Sequence, residues 1–100
     1  MQARRLISND QLKQTDIPGP SASWNEIRDL AYSFNGYEEQ GSFERCAEIA
    51  KARRSDSLSD LRTCLFFEHR RLNHLGASPG PLDMEYFRSL LAAIRSKVSD

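Results

Sequence analysis

The residues best suited to chemistry gather between positions 57 and 76. If this segment is helical, Arg62, Phe66, His69, Arg70 and Asn73 fall on one arc, because steps of three and four residues return to the same side, with Arg70 at its margin. Guanidinium groups grip phosphates and carboxylates in bidentate fashion, so a basic stripe with one aromatic offers binding to a nucleic acid or to an acidic protein surface. The competing account of the same residues is a flank packed by Phe66 and salt-bridged to neighbouring helices.

Glu68 falls inside the leucine arc of this segment, between Leu65 and Leu72. A carboxylate there must meet an Arg, a hydroxyl or a backbone N–H, or else line a small-molecule pocket, because burial without a partner is costly. An ion pair that fixes helix register is the simpler reading. His69 and His74 stand about 140° apart around a helix and cannot chelate one metal from one face, and Cys46 and Cys64 add no recognised ligand spacing. No Gly-x-Ser-x-Gly elbow, Gly-rich phosphate loop or His-Glu-x-x-His motif occurs. The sequence therefore predicts no catalytic residue, no metal and no cofactor. A second contact surface is expected at Tyr37, Glu38 and Glu39, which lie between Gly36 and Gly41, since tyrosine beside carboxylates joins apolar area to hydrogen bonding.

Four helices are expected to position these groups. Ser23-Trp24-Asn25-Glu26 has the shape of a capping box, with Trp24, Ile27, Leu30, Ala31 and Phe34 at helical spacing, which predicts a helix over 24–34. Ser42 with Glu44 opens a second, over 43–54, ending in Lys51, Arg53 and Arg54 where cations suit the helix dipole. A third runs over 58–75, from the Ser57-Leu58-Ser59-Asp60 start to Gly76, and its broad apolar surface makes it the central element. The last runs over 82–98 behind Pro81, with Met84, Phe87, Leu91, Ile94 and Val98 along its seam and Leu90 widening it. No alternating β-branched run is present. The fold class is thus all-α, an antiparallel four-helix bundle over 23–100. Residues 1–22, with Ile17-Pro18-Gly19-Pro20-Ser21 as a linker, are expected to form a flexible, disordered tail in which the Ser8-x-x-Gln11 pair permits only a short turn.

The segments Asn35-Gly36-Tyr37-Glu38, Cys46-Ala47-Glu48-Ile49-Ala50 and Asp60 to Arg71 resemble a family of small all-helical bacterial proteins with no assigned activity. The resemblance spans about Trp24 to Arg95. It implies a bacterial, all-helical protein and no site residues.

One hundred residues suit one domain, and 14 basic side chains against 14 acidic ones exclude a polybasic nucleic-acid coat. The zero net charge hides opposed blocks. Residues 23–44 carry one Arg against five acids, net −4, whereas residues 45–76 carry seven Lys or Arg against four acids, net +3. No apolar run reaches the roughly 18 residues that a membrane span needs. Residues 1–7 lack the apolar stretch of a secretory signal, and two cysteines are too few for a disulfide framework, so reduced thiols and a cytoplasmic location are expected. Taken together these features predict a non-enzymatic protein-interaction module, immunity or antitoxin-like in its charge masking, with nucleic-acid binding as the alternative and a pocket around Glu68 as a third reading. A homodimer burying Phe66 or Phe67 would cover the apolar excess of the third helix.

Overall fold

The computed structural model describes residues 6–34, 44, 45, 48, 57–76 and 78–98. All regular structure among them is helical: a 3-10 turn at Gln14–Asp16, then α1 (Trp24–Ala31), α2 (Leu58–His74) and α3 (Pro81–Lys97), with no strand among the described residues. The helix expected over 43–54 falls mostly outside this set, within which Glu44, Arg45 and Glu48 are helical and exposed.

Each described helix starts where its sequence signals place it. The Ser23 hydroxyl accepts from the Glu26 N–H at 3.2 Å while the Glu26 carboxylate accepts from the Ser23 N–H at 3.0 Å, so two otherwise orphaned donors at the start of α1 are satisfied. Ser57 caps α2 by accepting from the Asp60 N–H at 3.1 Å. Pro81 opens α3, where its missing N–H removes no helical bond, and Asp83 reaches back to the Gly80 N–H. Gly76 follows α2 with φ +68°, a left-handed conformation that closes a helix at little cost only for a residue without Cβ. The first helix ends earlier than its apolar spacing predicts: Ala31 is its last residue, and Tyr32–Phe34 leave it as a turn that still buries Phe34. Replacing Ser23 by Ala is expected to remove about 1 kcal/mol of stability and to lower Tm by about 4–8 °C. Thermal unfolding followed by circular dichroism checks this, and an unchanged Tm would show that the cap contributes nothing.

The second helix is central, packing against both α1 and α3. Ile27 and Leu30 of α1, Leu61, Cys64, Leu65 and Leu72 of α2, and Phe87, Leu91 and Ile94 of α3 share one core. Cys64 is buried there as a thiol. Leu75, expected on the inner arc, is instead 67% exposed, because it lies one residue beyond α2 at its C-cap.

Residues 6–22 overturn the expectation of a disordered tail. Leu12, Ile17 and Ala22 are buried in the common core and Ile7 packs against it, so this stretch is a strap laid over the helices. Polar ties fasten it along its length. The Ile7 N–H donates to the Ser33 carbonyl at 2.8 Å, and the Asn9 amide donates to the Ser59 hydroxyl at 2.7 Å. Gln14 donates to the Val98 carbonyl at 2.9 Å just beyond the end of α3. From the helix side, Arg95 donates to the Pro18 carbonyl and Arg88 to that of Ala22. The physical reason is burial: three apolar side chains removed from water, each worth on the order of 1–3 kcal/mol, offset part of the entropy of ordering the strap.

Candidate functional site

The predicted stripe on α2 is divided by the fold. Arg62 is 1% exposed and His69 0%, Phe66 is half-buried, and Arg70 and Asn73 are exposed, so the five residues do not share one accessible surface. The strap and α1 cover the arc that a bare helical wheel leaves open, one at Arg62 and the other at His69.

His69 sits inside an aromatic cluster. Its ring stacks on Trp24 at 4.1 Å between centroids with 18° between planes, while Tyr32 and Phe87 meet it edge-on at 5.3 Å and 6.3 Å. Trp24 in turn meets Phe87 at 5.1 Å and 69°, so α1, α2 and α3 are pinned through these rings. Phe66 extends the cluster toward Tyr32 at 5.5 Å and Phe67 at 5.2 Å. Such edge-to-face and offset-stacked rings add stability beyond their buried area. His69 acts here as a packing residue, closed off from any substrate.

Arg62 is the least expected feature of the interior. Its guanidinium donates to Asn9 Oδ1 at 2.9 Å and to Ser33 Oγ at 3.2 Å and lies over the Phe34 ring at 4.6 Å, so it meets only neutral acceptors and a π face among the described residues. The Ser33 hydroxyl donates its own proton to the Leu30 carbonyl at 2.6 Å. Burial lowers the Arg62 pKa to about 10, which leaves it charged at neutral pH. Neither Asn9 nor Ser33 could be assigned to Arg62 from sequence, since they lie 53 and 29 residues away from it.

Glu68 is buried, and Arg71 meets it at 3.0 Å one helical turn on, with the glutamate side chain 11% exposed and the arginine side chain 56%. This ion pair supplies the partner that the carboxylate requires and removes the basis for a pocket around Glu68. A cleft of about 270 Å³ does open nearby, lined by Phe67, Arg70, Arg71 and His74, and Glu68 is not in its lining. These four follow the i, i+3, i+4, i+7 pattern of one helix face. Their signal was therefore present in the sequence, one residue away from the stripe centred on Phe66. That offset turns the face by about 100° and exchanges buried Arg62 and His69 for exposed Arg71 and His74.

Tyr37, Glu38 and Glu39, expected to form a contact loop, lie outside the described residues, as does Cys46. Among the described residues no three His, Cys, Asp or Glu side chains gather as metal ligands, and no helix is long and apolar enough to cross a membrane. No protein-family model, curated protein or solved structure matches the chain. Function therefore rests on the geometry of the chain itself.

Proposed function

We propose that the chain is a non-enzymatic protein-interaction module that docks its partner on the C-terminal half of α2. The observation that carries this reading is the cleft there, where among the described residues the exposed Arg70, Arg71 and His74 flank the half-buried ring of Phe67. A cation beside accessible apolar area is the composition of a contact surface: the apolar group supplies affinity and the charge supplies orientation. The nucleic-acid alternative loses support, because two members of its stripe are inside the fold. The helix expected over 43–54 would complete an antiparallel four-helix bundle around α2. A bacterial, cytoplasmic setting accords with the resemblance to small bacterial proteins and with a cysteine content too low for a disulfide framework.

Capture by the immobilised full chain, compared with its Arg70→Glu variant, tests the reading. The expected result is a stoichiometric protein partner retained by the parent chain and lost on charge reversal. Equal retention by both, or no partner in either case, would overturn it.

A further inference from the structure

We infer that the surface of α2 and α3 beneath the strap is a second binding site, for a linear segment of a partner protein that carries a carboxylate, and that residues 6–22 occupy it as the chain's own stand-in. Its key residue, Arg62, lies in the N-terminal half of α2, whereas the cleft lies in the C-terminal half. Either assignment can therefore fail without the other.

Much of what holds the strap is indifferent to its sequence. The Ile7 N–H donates to the Ser33 carbonyl at 2.8 Å, and Arg95 and Arg88 of α3 donate to the carbonyls of Pro18 and Ala22, so these bonds engage backbone that any chain possesses. Leu12, Ile17 and Ala22 add buried apolar contact at intervals of five residues. Main-chain bonds for affinity with side-chain sites for selectivity are how proteins receive linear segments.

Arg62 is where the strap fits its site incompletely. The side chain is 1% exposed, its guanidinium donates to Asn9 Oδ1 at 2.9 Å and to Ser33 Oγ at 3.2 Å, and Nε meets no acceptor among the described residues. A hydrogen bond from a guanidinium to a carboxylate is roughly twice as strong as one to a neutral oxygen. The strap holds its own carboxylates elsewhere: Asp16 accepts from the Lys13 N–H at 3.0 Å within the 3-10 turn, and Asp10 is exposed. Ser59 Oγ, which accepts from the Asn9 amide at 2.7 Å, can instead donate to a carboxylate in that position. The site thus accommodates the amide that covers it and favours the acid that replaces it.

The same mismatch selects the occupant. A second copy of the chain would bring the same amide to Arg62 and gain nothing over the strap already in place. A nucleic acid would bring charge but no apolar groups for the volumes of Leu12 and Ile17. A protein segment with a carboxylate at the Asn9 position supplies both.

The test uses the full chain and the 6–22 sequence as a labelled peptide, with Asn9 or with Asn9→Asp, read by fluorescence anisotropy. Both peptides are expected to bind in competition with the strap, the Asn9→Asp peptide about fivefold tighter. Leu12→Ala in the chain loosens only its own strap and is expected to tighten both peptides at least tenfold, because the site is then open for more of the time. Asn9→Asp in the chain, which leaves the packing intact, is expected to weaken both about fivefold. In an Arg62→Met chain the preference for the acidic peptide should vanish while the Asn9 peptide keeps its affinity, since peptide and strap lose the same bond. No binding to the Leu12→Ala chain, equal affinity of the two peptides for the parent chain, or unchanged binding to the Asn9→Asp chain would overturn the proposal. A parent dimer in light scattering that the peptides dissociate would make a second copy the occupant and overturn it as well.

Discussion

Replacing Phe87 by Ala is expected to destabilise the fold by about 3–5 kcal/mol, the largest loss from any single truncation in the aromatic cluster. Phe87 is 1% exposed, and from α3 it touches Trp24 of α1, His69 of α2 and Tyr86 of its own helix at ring separations of 5.1, 6.3 and 5.6 Å. Removing the ring leaves a cavity where three helices meet and withdraws the edge-on contacts that fix Trp24 over His69. A domain of this size has a total stability on the order of 5–15 kcal/mol, so such a loss takes a large fraction of it and should lower Tm by more than about 10 °C. Trp24 is the single tryptophan of the chain and reports on the change directly. Urea titration followed by its fluorescence should show a lower midpoint with an unchanged slope. Phe66→Ala is the control: that ring is half-buried at the margin of the cluster, and its loss should cost distinctly less. Equal losses for the two variants would mean that the cluster is not the joint between α3 and the other helices.

The contrast between these two phenylalanines shows where the sequence is informative. Positions on α3 are legible because its apolar residues recur at three and four: Phe87, Leu91, Ile94 and Val98 are all buried as the seam requires. Capping is legible for a different reason, since Ser23 and Ser57 satisfy N–H groups within three residues and no tertiary information is needed. The strap is not legible. Its core residues Ile7, Leu12, Ile17 and Ala22 recur every five positions, a period belonging to neither helix nor strand, and its value lies in distant partners such as Ser59, Val98 and Arg95. The misplaced stripe follows from the same cause. A wheel for α2 ranks residues by chemistry and places charged ones outside, but Arg62 lies beneath Asn9 and His69 beneath Trp24, and neither cover is visible from the helix alone. Glu68 differs, because its need for a partner follows from its place among leucines and Arg71 at i+3 stands within helical reach of it.

Arg62 allows a prediction with opposite signs at two ends of one hydrogen bond. Arg62→Ala is expected to cost about 2–4 kcal/mol, because it empties the volume of a side chain that is 1% exposed and cuts the tie to Asn9 that holds the strap over α2. Asn9→Asp is expected to stabilise. Among the described residues the cation meets only neutral acceptors, so a carboxylate placed 2.9 Å from it would turn a neutral-acceptor bond into one between opposite charges, a gain of about 1 kcal/mol; the Ser59 hydroxyl can rotate to donate in place of the lost amide. The introduced carboxyl would have its folded pKa depressed below the unfolded value of about 3.9 by the guanidinium beside it. The gain is therefore fully present above that unfolded pKa and disappears as pH falls through the lower folded one. Arg62 itself gives a slope of the same sign in the alkaline range: burial depresses its folded pKa to about 10, so above that pH the unfolded chain keeps a proton that the folded chain releases, and its desolvation penalty shrinks as pH rises. A double-mutant cycle with Arg62→Met separates the charge from the packing, since methionine fills much of the volume without the cation. The stabilisation by Asn9→Asp should vanish in the Arg62→Met background. If it persists there, the gain comes from the introduced carboxylate acting on some other group, and the buried guanidinium is not what fastens the strap.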